Sequence, residues 1–173
     1  MVGATPFWLA AAVGDVSVMR VLAASGADPL LATKENVTPL MVAAGVGRRV
    51  AGHMDRTAEE ERSALEAVKL AVELGADVNA ANETGLTALH GAAYTGANTI
   101  IQFLVDKGAK IDAMDKFAQT PLSITQKIHT VALGDNFDMQ PRRVYPSTVN
   151  LFLQLGATPL TALGVKVLEV VSQ

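Results

Sequence analysis

TALHGAAYTGANTIIQFLVDKGAKIDAMD, residues 87–115, packs two short helices and a turn into one unit. A brief Ala-rich run opens at Thr87 and is broken at Gly96. A second run, 98–107, sets Ile100, Ile101, Phe103 and Leu104 on one face at helical spacing. Gly108 ends it, and GAKIDAMD turns the chain away. A unit of this size cannot bury its own apolar face, so it needs neighbours of the same kind.

The neighbours are in the sequence. GLTALHGAAYTG (85–96) aligns with GATPFWLAAAVG (3–14), NVTPLMVAAGVG (36–47) and AQTPLSITQKIH (118–129). A second series aligns with them: ASGADP (24–29), ELGADV (73–78), DKGAKI (106–111) and QLGATP (154–159). Thr5 to Thr38, Thr87 to Thr120 and Gly75 to Gly108 are each 33 residues. In three copies a Thr-Pro pair opens the first helix, since Thr caps it and Pro tolerates its first turn. Gly14, Gly47 and Gly96 are expected to stop the first helix. The second helices fall at 16–25, 64–74, 98–107 and 147–155 and stop at Gly26, Gly75, Gly108 and Gly156.

A 33-residue period built on TPLH-x-A-A and G-A-D resembles the ankyrin-repeat family over nearly the whole chain. The wording is most similar to bacterial ankyrin arrays, which are often joined to other domains and sometimes exported. The resemblance implies an all-α solenoid of helix pairs with β-hairpin fingers. Residues 1–173 then form one domain, with repeats at about 1–32, 33–81, 82–114 and 115–160 and a tail at 161–173. It implies that His90 hydrogen-bonds between repeats. Trp8, Met41 and Ser123 replace it elsewhere, which suggests looser polar bridging there. It also implies a protein-binding surface on the finger tips and the exposed ends of the first helices. Those positions here are Lys34, Glu35, Val37 and Val46; Glu83, Thr84, Leu86, Tyr94 and Thr95; and Lys116, Phe117, Gln119 and Lys127. Tyr94 and Phe117 stand out in an aromatic-poor chain, because exposed aromatics are frequent interface anchors. Phe117 could equally pack beneath its own finger.

Two repeats are interrupted. Gly14 to Gly26 and Gly96 to Gly108 are each 12 residues, whereas Gly47 to Gly75 is 28 and His129 to Gly156 is 27. Within the first insertion, Thr57 and Glu60 fit a capping box, and acids follow in the first turn. The second helix of that repeat should therefore run from about 58 to 74, two turns longer than its neighbours, with Glu59–Arg62 and Glu66–Lys69 able to pair. Residues 48–56 and 133–146 read as loops. Their Arg48, Arg49, Arg56, Arg142, Arg143 and Tyr145 suggest a two-part ledge for a partner or anion. The other reading is that loops accept insertions at little entropic cost.

Composition narrows the function. The chain has 173 residues, half of them hydrophobic, and a net charge of −3. Its bases form two doublets rather than a stripe, which argues against nucleic acid. Without Cys there is no disulfide framework, thiolate metal site or Cys nucleophile. His53 and His129 lack a ligand pattern, so no metal or cofactor is expected. The acidic DNFD at 135–138 is too short for a calcium loop. No nucleophile elbow, phosphate loop or zinc-protease motif occurs, so no catalytic residue is expected. No apolar run reads as a membrane span, and the N-terminus lacks a basic signal-peptide flank. Compartment stays open. Terminal repeats need polar outer faces, yet FWLAAAV has none and the tail is apolar. The expectation is an exposed, sticky Phe7 and Trp8, with self-association through that end or through 160–171, or else a fragment of a longer protein.

Overall fold

In the computed structural model, residues 2–47, 57–128, 130 and 144–167 are described. Each Thr-Pro pair starts a helix as its chemistry dictates. Thr5, Thr38 and Thr120 are extended, and their hydroxyls accept from Trp8, Met41 and Ser123 N–H at 3.1, 3.2 and 3.2 Å. These caps open α1 (Pro6–Val13), α3 (Pro39–Ala44) and α7 (Pro121–Thr125), and Thr87 opens the matching α5 (Ala88–Thr95). The second helices are α2 (Val16–Ala24), α4 (Ala58–Glu73), α6 (Asn98–Asp106) and α8 (Pro146–Gln154).

The first helices pack in a row, α1 on α3 on α5 on α7, and the second helices form a parallel row behind them. Small side chains make the close packing possible: Ala11, Ala43, Ala44, Ala67, Ala71, Ala92 and Ala93 are all buried. Between α3 and α5 backbone meets backbone. A Cβ on Gly91 would lie 2.5 Å from the Val46 nitrogen, and one on Gly45 would lie 2.8 Å from the Gly91 carbonyl oxygen. This contact also explains an early stop. Helix α3 ends at Gly45, with φ of 124°, two residues before the expected Gly47.

Helix α4 covers the expected span and is 16 residues long against 9 in α2 and α6. Its capping box forms: Thr57 N–H donates to Glu60 Oε2 at 2.8 Å, and Glu60 N–H donates to the Thr57 hydroxyl at 3.2 Å. Glu66 and Lys69 pair at 2.7 Å, while Glu59 and Arg62 do not. The extra turns tie neighbours together. Thr99 of α6 donates to Glu61 at 2.8 Å, and Ser63 sits against Gly14 at the end of α1.

Each finger is a tight turn closed by two backbone bonds, with no longer ladder among the described residues. One expectation is corrected. Phe7 and Trp8 are buried, not exposed, because both are drawn into the core beside α3. The C-terminal tail is described up to residue 167: Leu160 is buried, and Thr130 bridges Val167. No helix among the described residues is long and apolar enough to cross a membrane.

Candidate functional site

Each finger is built by one polar side chain that catches the backbone beyond it. The Asp115 carboxylate accepts from Phe117 and Gln119 N–H, both at 2.8 Å. Asn82 Oδ1 accepts from Thr84 and Leu86 N–H at 3.0 and 2.9 Å. Thr33 accepts from Val37 N–H at 3.3 Å. The chain then turns through a left-handed residue: Asn36 (φ 59°), Gly85 (86°) and Ala118 (55°). Burial pushes the Asp115 carboxyl above its ordinary range, against the pull of the Gln119 and Phe117 N–H groups.

Successive fingers are locked to each other. Lys34 N–H donates to the Val2 carbonyl at 3.0 Å, Glu83 N–H to Glu35 at 3.1 Å, and Lys116 N–H to Thr84 at 2.9 Å. The row closes at Phe117, whose carbonyl accepts from the Thr130 hydroxyl. The side chains at these linked positions point to solvent. Lys34, Glu35, Glu83 and Lys116 are exposed, and Thr84 and Phe117 are half-buried. The Glu35 carboxyl is held below its ordinary range by its own backbone N–H and the Thr33 hydroxyl.

Not every expected contact residue lies on this surface. Val37, Val46 and Gln119 are buried. Two of them are fixed there by what their carbonyls do. His90 Nδ1 accepts from Thr87 N–H at 3.1 Å, which leaves the proton on Nε2, 3.2 Å from the Gln119 carbonyl oxygen. Trp8 repeats the device, its indole N–H donating to the Val37 carbonyl at 2.9 Å. Both bridges span 29 residues, from one repeat to the next. So Trp8 reproduces the bridge of His90 at full strength, although its indole has no acceptor for the capping Thr N–H. Met41 is the break in the pattern: its sulfur receives Thr38 N–H at 3.5 Å. Val46 is buried by its contact with Gly91. The signal missed in the sequence is the 29-residue offset from an indole or imidazole N–H to the finger carbonyl.

Beside the fingers, Leu86, Tyr94, Thr95 and Lys127 are half-buried. The Thr95 hydroxyl turns back to the Gly91 and Ala92 carbonyls at 3.2 Å. Tyr145 serves packing, because a Cβ on Gly96 would meet its ring at 2.7 Å. Arg48, Arg49, Arg56, Arg142 and Arg143, with His53, His129 and the DNFD stretch, lie outside the described residues. A cleft of about 280 Å³ opens where α4 overhangs α1, lined by Ala11, Ala12, Val13, Gly14, Ala43, Glu60 and Ala64. Its only charged group among the described residues, Glu60, is engaged in the cap of α4. Among the described residues no three His, Asp or Glu side chains converge as metal ligands would.

Family models of ankyrin repeats match residues 2–34 and 57–125, more than half of the chain. The chain belongs to the ankyrin-repeat family. The mouse B-cell lymphoma 3 protein homolog is 28% identical over 158 residues, which is 90% of this chain and 31% of that protein. Human B-cell lymphoma 3 protein is 35% identical over 122 residues, 68% of this chain and 24% of that protein. The Notch-regulated ankyrin repeat-containing protein of Xenopus tropicalis is 51% identical over 43 residues, 25% of this chain and 38% of that protein. The ankyrin array thus spans about a third or less of the first two relatives. All three are animal proteins, and the likeness to bacterial arrays rests on the repeat wording alone.

Proposed function

We propose that this ankyrin array binds a protein partner across its finger tips and the adjoining ends of the first helices. Ankyrin repeats are a general protein-interaction module. The observation that carries the reading is the finger-to-finger bonding. Backbone bonds from Lys34, Glu83 and Lys116 hold the tips in register, while the side chains of Lys34, Glu35, Glu83 and Lys116 are exposed. A preordered row of mixed charge loses little entropy on binding. It selects partners by the complementary order of charges. Thr84, Leu86, Tyr94, Thr95, Phe117 and Lys127 border the row, with Tyr94 and Phe117 as its aromatic anchors.

The test is affinity capture with the array as bait, followed by titration of the captured protein against variants. Tyr94→Ala and the double variant Lys34→Glu/Lys116→Glu should each weaken binding about tenfold or more. Their melting temperatures should stay close to that of the parent. Unchanged affinity in both would move the binding surface elsewhere on the molecule.

A further inference from the structure

We infer that the fourth repeat, α7 with α8 and the finger before them, opens as a unit while the first three repeats stay folded, and that a protein bound along the finger tips holds it shut. The closing by a partner rests on the binding surface proposed above; the opening does not. Seven of the ten buried polar side chains among the described residues lie between 115 and 148. The first helix shows the change best. Ala43 and Ala44 in the second repeat, and Ala92 and Ala93 in the third, are at most 1% exposed. Their counterparts in the fourth are Thr125 and Gln126. The Thr125 hydroxyl donates to the Leu122 carbonyl at 2.7 Å. Gln126 has no such outlet. Its Oε1 is buried without a hydrogen-bond partner, so the amide loses water and gains nothing in return. In the second helix, Thr148 takes the place of Ile100, both fully buried. Apolar burial drives folding, and paired polar burial adds little to it. This repeat is therefore held by less than its neighbours are.

Backbone strain acts in the same direction. Ala118 and Lys127 are both left-handed, with φ of 55°. Gly85 stands at the first of these positions in the third repeat, and Gly45 at the second in the second repeat. A residue with a Cβ stores strain there that glycine avoids. Between the two strained residues, α7 has five residues against eight in α1 and α5. Opening releases this strain and wets Gln126. It breaks the bonds that hang the repeat on the third: His90 Nε2 to the Gln119 carbonyl, and Lys116 N–H to the Thr84 carbonyl. The same residues belong to the contact row. Ala118 follows Phe117 at the finger tip, and Lys127 ends the first helix. Lys116, Phe117 and Lys127 line up with the other fingers only in the closed form. A partner that touches them binds that form alone, and by mass action it suppresses the opening.

Amide hydrogen exchange on the full chain tests this, under conditions where closing outruns exchange and rates report the opening equilibrium. In the free chain, amides of α7 and α8 should exchange about tenfold or more faster than those of α5 and α6. They should also exchange faster than those of α1, so that lying at one end of the row is not the cause. The double variant Ala118→Gly/Gln126→Ala gives the fourth repeat the residues found at Gly85 and Ala93. It should slow exchange in α7 and α8 by about tenfold or more and leave α1 and α5 unchanged. Exchange in the fourth repeat no faster than in α1 overturns the proposal. So do rates that the double variant does not move. With the captured protein at saturation, α7 and α8 should slow further, by about tenfold or more. A partner whose binding is weakened by Tyr94→Ala but that leaves α7 and α8 unprotected overturns the coupling. Capture indifferent to both Tyr94→Ala and Lys34→Glu/Lys116→Glu overturns the finger-tip surface and the coupling together, while exchange in the free chain still decides the opening.

Discussion

His90 shows how much one side chain settles in this array. Its ring caps its own helix through Nδ1 and reaches the next repeat through Nε2. Burial pushes its pKa down to about 4, from an ordinary 6.5. A base whose folded-state pKa is depressed binds fewer protons when folded than when unfolded. Stability from His90 is therefore complete above about pH 6.5 and lost as the pH falls towards about 4. The loss amounts to about 3 kcal/mol over that window. Asp115 works in the opposite sense. Its raised carboxyl favours the folded state as protons are added, from the ordinary carboxylate range upward. His90→Gln keeps one acceptor and one donor but cannot titrate. Chemical denaturation at pH 7 and pH 4.5 should show the parent losing stability between the two, and His90→Gln losing much less. Equal losses in both proteins would mean that another group controls the acid limb.

At the scale of the element, the helices were legible and the surface was less so. Thr-Pro starts, Gly stops and the Thr57–Glu60 box are local chemistry, written within four residues, and α4 begins where that box says. The fingers were read from the family resemblance, and each closes by only two backbone bonds. Val37 and Gln119 were read as contact residues from their place in the repeat. They are buried by a bond to their carbonyls from 29 residues earlier, and no side-chain pattern at 37 or 119 reports that. The same comparison exposes a weak joint. Trp8 bridges to Val37 and His90 to Gln119, so the residue matching them, Met41, should bridge to the Leu86 carbonyl, but it carries no N–H. Met41→His would supply a donor for Leu86 and a better acceptor for Thr38 N–H. The gain should be about 1 kcal/mol at pH 7, or a Tm about 2–4 °C higher. A lower Tm would mean that the buried site accommodates the thioether better than the ring.

The whole molecule behaves as a row of junctions, each touching only its neighbours, so its cooperativity depends on the weakest of them. The junction between the second and third repeats lies in the middle and brings backbone directly against backbone, with room for no Cβ on Gly91. Gly91→Ala adds a methyl 2.5 Å from the Val46 nitrogen, and the stack must open there. Overpacking of this kind costs about 1–3 kcal/mol, only partly offset by the better helix propensity of Ala, about 1 kcal/mol. Gly75→Ala is the matched control. It meets nothing within 4 Å, but its φ of 95° strains any L residue, by about 1–2 kcal/mol. The two variants should lose comparable stability and differ in how they unfold. Gly75→Ala weakens one repeat and leaves every junction intact, so its urea transition should shift with an unchanged slope. Gly91→Ala uncouples the first half of the array from the second, so its transition should broaden or split, with an apparent slope below the parent's. A single sharp transition of parental slope in Gly91→Ala would place the controlling junction elsewhere, with the overhang of α4 onto α1 and α6 as the next place to cut.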